Sequence, residues 1–326
     1  PDSPVCGSFG KPAREWLNEL AAFGIGVWQF LPLAPTDSFG SPYSSPSSFA
    51  LNPWFLDQND LVRDGFLANN LEDFSSANDC FKNRVDFHLA NSKVKSLRFS
   101  LVDDWYKQNR TIQEEFEIWC SKQFWLDDHS IFMELKIQNN DLPWWEWPDA
   151  YANRDKKELE NWKKNNQREL LGHKLLQWHL DRQWQSIREL AKNLGIYLFG
   201  DVPFYVSKDS ADVWGNRSLF SILTNSDTFL QSGVPPDYFS ETGQLWGNPV
   251  YRWSRHKASR YRWWRKRISR HLEQVDILRL DHFRALEAFW AIPGKDKTAE
   301  NGLWLPSPGK QILSCLLYTS PSPRDS

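Results

Sequence analysis

Strong charge of either sign is missing from this chain. Its 326 residues carry 39 Lys and Arg against 41 Asp and Glu, a formal net charge of −2, so bulk electrostatics point neither to nucleic acid nor to a membrane surface. Cysteine is scarce: the four, at positions 6, 80, 120 and 315, show no CxxC spacing and read as isolated thiols in a reducing compartment. No apolar run is long enough to span a bilayer. Pro1-Asp2-Ser3-Pro4 lacks the basic and apolar pattern of a secretion signal. Gly24-x-Gly26 lacks the third glycine of a dinucleotide fingerprint and precedes its strand, so a Rossmann site is rejected. His173 and His179 are six apart and share no helical face, so no metal site is expected there.

What the chain does have is tryptophan, 19 of them among 40% hydrophobic residues. Most belong in a core, and a chain of this length can bury a large one. Aromatic faces also stack on the C–H faces of sugars, which raises the prospect of a sugar groove.

Helical spacing of Trp16, Leu17, Leu20, Ala21 and Phe23 predicts a helix over 11–24, stopped by Gly24. A buried strand is predicted over 25–33, followed by a polar loop that puts Tyr43 above a strand end. Residues 58–190 are mostly helical in pattern, interrupted at Trp144-Trp145-Glu146-Trp147-Pro148. A long amphipathic helix is predicted over 171–194, burying Leu175, Trp178, Leu180, Trp184, Ile187 and Leu190. A second buried strand over 196–201 ends on Asp201, in a place that suits binding, catalysis or an N-cap. Residues 206–219 read as a turn and short helix. The Gly- and Pro-rich stretch 232–249 reads as a long loop of the kind used for lids, carrying Tyr238 and Phe239. Residues 252–271 interleave Arg and Lys with Trp253, Trp263 and Trp264. This pattern suits a nucleic-acid or anionic-membrane surface, and more simply a helix with its tryptophans and Ile268 inward and its arginines in water.

The stretch Ile277-Leu278-Arg279-Leu280-Asp281-His282-Phe283-Arg284 starts apolar and ends charged, as a buried parallel strand does when it opens into a polar site. Side chains alternate along a strand, so Arg279 and Asp281 share a face. A guanidinium that close favours the ionised carboxylate. An ionised, oriented aspartate at a strand end is either a nucleophile or half of a structural ion pair at a barrel rim.

Four blocks together resemble the 4-α-glucanotransferases (amylomaltase, disproportionating enzyme) of glycoside hydrolase family 77 in the α-amylase clan. They are Trp28-Gln29-Phe30-Leu31-Pro32-Leu33 with Ser41-Pro42-Tyr43; Gly200-Asp201-Val202-Pro203-Phe204 with Asp209 to Trp214; Gly233 to Phe239 with Gly243 to Pro249; and Arg279 to Arg284 with Glu287-Ala288-Phe289-Trp290. The likeness runs from about residue 5 to about 314. It departs from the family at Gly40, where an acidic residue is usual, and at Ala285-Leu286, where Gly-Phe is usual.

The resemblance implies an α/β fold, a TIM (β/α)8 barrel with helical insertions, of which only about the first half would be present. Residues 1–57 would hold the first barrel strand and loop, 58–165 a helical insertion, and 166–314 the third and fourth strands with the lid 232–249. Residues 315–326 would be a disordered, non-family tail. It further implies Asp281 as nucleophile, Arg279 as its orienting partner and Asp201 as donor-site support. Tyr43 would stack on the donor glucose, with Tyr238, Phe239, Trp246, Asn248 and His282 binding substrate. Maltodextrin and an acceptor sugar are the implied partners, with no cofactor, metal, nucleic acid or membrane. The implied compartment is the cytoplasm, or a plastid if a transit peptide has been lost. A retaining mechanism needs a second carboxyl group about 5–5.5 Å from the first. Glu287, six residues past Asp281, is poorly placed for that role, so the acid/base is expected outside the chain and the chain by itself is expected to be nearly inactive. Two alternatives stay open. A hydrolase of the α-amylase kind would give no oligosaccharide longer than its substrate, and a non-catalytic maltodextrin-binding protein would tolerate Asp281→Asn.

Overall fold

The computed structural model describes residues 6–68 and 85–317. Its helices are α1 (Lys11–Ala22), α2 (Gln58–Arg63), α3 (Phe87–Trp105), α4 (Arg110–Lys122), α5 (Leu126–Gln138), α6 (Asp149–Ala152), α7 (Lys156–Asn165), α8 (Gln167–Asn193), α9 (Ala211–Gly215), α10 (Trp253–Ala258), α11 (Arg262–Leu272) and α12 (Gly309–Leu317). Side-chain caps explain several starts. The carboxylates of Asp86 and Asp155 and the amide oxygen of Asn109 accept from backbone N–H groups three residues on, satisfying orphan donors of α3, α7 and α4. The α1 helix ends as its sequence predicts, with Gly24 at a φ of +71° just beyond it.

Strands β1 (Val27–Gln29), β2 (Tyr197–Val202) and β5 (Ile277–Leu280) form a parallel sheet in the order β1-β2-β5. Between β2 and β5 in sequence lie β3 (Leu230–Val234) and β4 (Gln244–Pro249). With β6 (Ala288–Pro293) and β7 (Leu303–Pro306) these make an antiparallel sheet in the order β4-β3-β6-β7. One face of the parallel sheet packs Leu198 and Leu278 against Trp184 and Ile187 of α8, in an apolar cluster that also holds Leu17, Leu97 and Leu175. The helical segment therefore shares its core with the sheet. On the other face Val27, Tyr197 and Ile277 are exposed by 45%, 60% and 41%, so at these three positions the described residues give that face little cover. Trp144, Trp184, Trp214 and Trp264 are each fully buried, and core packing accounts for more than half of the tryptophans.

Several expectations need correcting. The strand expected over 25–33 pairs only at Val27–Gln29, because Pro32 has no N–H for a ladder. The block at Gly200 is the direct neighbour of β1, with Val27 opposite Tyr197. It is the next strand of this sheet after the Trp28 block, not the next but one. The stretch 232–249 is not a structureless loop, since Val234 pairs with Gln244 and Gln231 with Pro249, leaving 235–243 as the connection. Gly233 permits that pairing, because a Cβ there would lie 2.2 Å from the Gln244 carbonyl oxygen. The continuous helix over 252–271 is broken by Arg260 and Tyr261, both left-handed at φ 51° and 54°. Its arginines do not all face water, for Arg267 and Arg270 are 0% and 4% exposed. The tail expected from 315 begins inside α12, which runs to Leu317. Cys80 and residues 318–326 lie outside the described residues.

Candidate active site

The site forms where β2 and β5 end together. Their register sets Asp201 opposite Arg279 and Val202 opposite Leu280. Side chains on registered neighbours point the same way, so Asp201, Arg279 and Asp281 share the uncovered face. The Asp281 N–H donates to the Val202 carbonyl at 3.0 Å, extending the ladder by one residue and fixing the carboxylate at the rim. His282 then turns the chain with a φ of +50°, an uncommon conformation for a side-chain-bearing residue.

Arg279 is the hub of the charge arrangement. Its Nη2 donates to Asp281 Oδ1 at 2.7 Å, and its Nε lies 3.4 Å from Asp201 Oδ1. The hydrogen bond to Asp281, with Asp201 alongside, raises the guanidinium further above its ordinary range. Asp281 keeps 41% of its side chain exposed, whereas Asp201 keeps 3%. The accessible carboxylate is therefore the one a ligand can reach. The buried one is a support.

Tyr43 completes the group from a distant loop. The Ser41 hydroxyl accepts from the Tyr43 N–H at 3.3 Å and starts the single turn Pro42–Ser44. That turn delivers the Tyr43 hydroxyl to Asp201, where it donates to Oδ2 at 2.6 Å. Burial, then the Asp201 hydrogen bond, pushes the phenol up to about 12, so it stays a donor. Tyr43→Phe removes this donor from a buried carboxylate and is expected to lower stability by about 1–3 kcal/mol. Urea denaturation of the two proteins side by side measures it.

A cleft of about 370 Å³ opens in front of Asp281, walled by Tyr43, Phe204, Tyr205, Trp246, Asn248 and His282. Trp246 and His282 meet edge to face with centroids 4.8 Å apart. Burial lowers His282 below the ordinary imidazole range, so the ring is neutral near pH 7. The structure thus brings Asp281, Arg279, Asp201, Tyr43, Trp246, Asn248 and His282 together. It does not bring in Tyr238 and Phe239, which are 97% and 92% exposed and pack edge to face on each other. Phe204 and Tyr205 were missed; their signal was the aromatic pair directly after the Asp201 strand end. A larger cavity of about 680 Å³ lies elsewhere, between α2, α4 and α8. Of its carboxylates, Asp181 is held by Arg270 and Asp60 by Arg14 and Arg63, each at 2.6 Å, and no strand residue is among the described residues lining it.

A strand-end carboxylate with an arginine beside it and an aromatic wall in front fits the enzymes that act on sugars. The family profile described as 4-alpha-glucanotransferase, glycoside hydrolase family 77, matches residues 2–322. The chain belongs to this family. It is 40% identical over 314 residues to the 4-alpha-glucanotransferase of Synechocystis sp., covering 95% of this chain and 62% of that one. It is 37% identical to the Thermus thermophilus 4-alpha-glucanotransferase, over 94% of this chain and 61% of the relative. Its fold matches amylomaltase from Streptococcus agalactiae, solved in complex with acarbose, with a TM-score of 0.90 at 30% identity, covering 98% of this chain and 64% of that one. The chain spans about three fifths of the length of these curated relatives. Among the described residues no helix is long and apolar enough to cross a membrane.

Proposed function

We propose that this chain carries the donor-side half of an α-1,4-glucan transfer site, with Asp281 as the nucleophile of a retaining double displacement. One observation carries the reading: the accessible Asp281 and the buried Asp201 are joined through Arg279 and capped by Tyr43 at the mouth of an aromatic cleft. The Asp281 carboxylate attacks the anomeric carbon of a bound maltodextrin, and the bond to the leaving oxygen breaks. A covalent glycosyl ester forms, and the 4-hydroxyl of a second sugar displaces the carboxylate as its proton passes to the group that protonated the first leaving oxygen. Arg279 keeps one carboxylate oxygen engaged so that the other faces the sugar. Trp246 supplies a stacking face, and the 235–243 connection with Tyr238 and Phe239 closes over the acceptor to exclude water. The parallel sheet β1-β2-β5 is read as part of a (β/α)8 barrel whose inner face carries Val27, Tyr197 and Ile277.

Proton donation to the leaving oxygen needs a second carboxylic acid. Among the described residues lining the cleft, Asp281 is the one carboxylate. Turnover of ordinary maltodextrins by this chain alone is therefore expected to be slow. A donor whose leaving group needs no proton bypasses the requirement in the first step; in the second the acceptor hydroxyl must give its proton to solvent, so transfer is slower than ester formation. With α-maltotriosyl fluoride and maltose, the chain is expected to release fluoride and form maltopentaose, read by chromatography. Maltotriose as the only sugar product would make it a hydrolase. No fluoride release above buffer would leave a binding protein.

A further inference from the structure

The Trp- and Arg-rich helix α11 has no part in the chemistry above, yet it buries a positive charge directly behind the site. Arg267 is 0% exposed, and among the described residues it makes no ion pair within 4.0 Å. Its guanidinium is spent on backbone instead. Nη2 donates to the Pro203 carbonyl at 2.7 Å and Nη1 to the Phe204 carbonyl at 3.0 Å. Nη1 also reaches the Tyr251 hydroxyl at 3.3 Å, and that hydroxyl donates to the same Phe204 carbonyl at 2.6 Å. The carboxylate whose field it feels, Asp212, is itself buried and held by the backbone N–H and hydroxyl of Ser48.

Taking a guanidinium out of water without a directly bonded carboxylate is unfavourable, and an apolar side chain of similar volume fills such a place with less penalty. Core stability alone is a weak reason for an arginine here, its other contacts being the Trp263 and Trp264 rings, each with its centroid 5.4 Å from the guanidinium carbon. Its two carbonyl partners give a stronger one. Pro203 and Phe204 lie between Asp201, which holds Tyr43, and Tyr205, which walls the cleft. Proline has no N–H and ends the β2 ladder, so the direction of the Pro203 carbonyl rests on Arg267 and that of the Phe204 carbonyl on Arg267 together with the Tyr251 hydroxyl.

We propose that Arg267 is a positioning residue for glucan binding: it fixes the exit of β2 so that Asp201 stays beneath Tyr43 while Tyr205 walls the cleft. The proposal rests on the glucan reading of that cleft. Arg267→Met keeps the volume and removes the charge, and Arg267→Lys keeps the charge and reaches one carbonyl. The measurements are backbone amide exchange by mass spectrometry, thermal melting, and maltotetraose affinity from quenching of tryptophan fluorescence. Arg267→Met is expected to melt cooperatively and to exchange faster over 202–206 while α8 and β5 keep their protection. Its affinity for maltotetraose is expected to fall by about tenfold, with Arg267→Lys recovering part of both effects. Unchanged exchange over 202–206, or unchanged affinity, overturns the proposal. So does a rise in exchange spread evenly over α8, β5 and 202–206, which marks plain loss of stability. If Arg267→Met does not fold, the same comparison is made on Arg267→Lys. A wild-type chain that does not bind maltotetraose sinks the glucan reading, and exchange alone then decides whether Arg267 holds the segment.

Discussion

Replacing Asp281 with Asn is expected to abolish covalent capture of a sugar. With α-maltotriosyl fluoride the carboxylate attacks the anomeric carbon as the C–F bond breaks, fluoride leaves, and the chain gains one maltotriosyl group on Asp281. Without added maltose the ester is removed by water or by the 4-hydroxyl of a second donor molecule, and both steps lack a base, so intact-mass spectrometry of the wild-type chain should show the adduct. An amide at the same place is a far weaker nucleophile. Fluoride release is expected to fall by about a thousandfold or more, roughly 4 kcal/mol of activation free energy. The amide oxygen introduced by Asp281→Asn would still accept from Arg279, whose Nη2 lies 2.7 Å from the aspartate oxygen, so the fold and affinity for maltotetraose should hold. An adduct of wild-type yield in Asp281→Asn, or one mapped by peptide digestion to Asp201, would refute the assignment.

The second large effect concerns stability and lies far from the site. Arg98 of α3, Glu134 of α5 and His173 of α8 meet in a buried triad. Arg98 Nη1 donates to Glu134 Oε2 at 2.5 Å and lies 2.6 Å from His173 Nε2, which is 3.0 Å from the same carboxylate. Glu134→Ala leaves the Arg98 charge buried and uncompensated, and is expected to cost about 3–5 kcal/mol. Burial by itself would raise the Glu134 carboxyl. The neighbouring His173 and the Arg98 charge outweigh it and hold the group at about 2, against an ordinary value of 4.5. A depressed carboxylate stabilises the fold above its unfolded value, and that stabilisation is lost as pH falls from about 4.5 through about 2. Urea midpoints at pH 5, 4 and 3 should therefore fall in the wild type and slope less in Glu134→Gln. Parallel slopes would mean that the triad does not carry acid sensitivity.

Much of the site was legible because its parts are local in sequence. Arg279 and Asp281 sit two apart on a strand, and alternation alone puts them on one face. Asp201 was legible as the last polar residue of an apolar run. The Tyr43 contact was not, since 158 residues separate it from Asp201 and no periodicity reports a pairing of that span. Tyr238 and Phe239 were legible as exposed loop aromatics, but not that they stand apart from the residues lining the cleft. Loop aromatics stack on a ligand or on each other, and composition does not distinguish the two. The antiparallel pairing of β3 with β4 was masked by Gly233, Pro235, Pro236 and Gly243, which read as loop although Gly233 serves the close approach of two strands.

Sequence by itself determined the helices ending near Gly24 and Gly195 and the strands that end at Asp201 and Asp281, and that a strand-end aspartate with an arginine two residues before it lies in a Trp-rich chain. Those are properties of short stretches, governed by side-chain period, caps and local charge. Only the tertiary structure decided that Asp281 is the accessible carboxylate and Asp201 the buried one, because accessibility depends on what distant segments cover. It also decided that Arg267 and Arg270, two arginines of an apparently solvent-facing series, turn inward. Buried charge follows from partners, here the backbone carbonyls of Pro203, Phe204 and Phe49 and the carboxylate of Asp181. Those partners lie tens to hundreds of residues away, where the chain's own pattern carries no record of them.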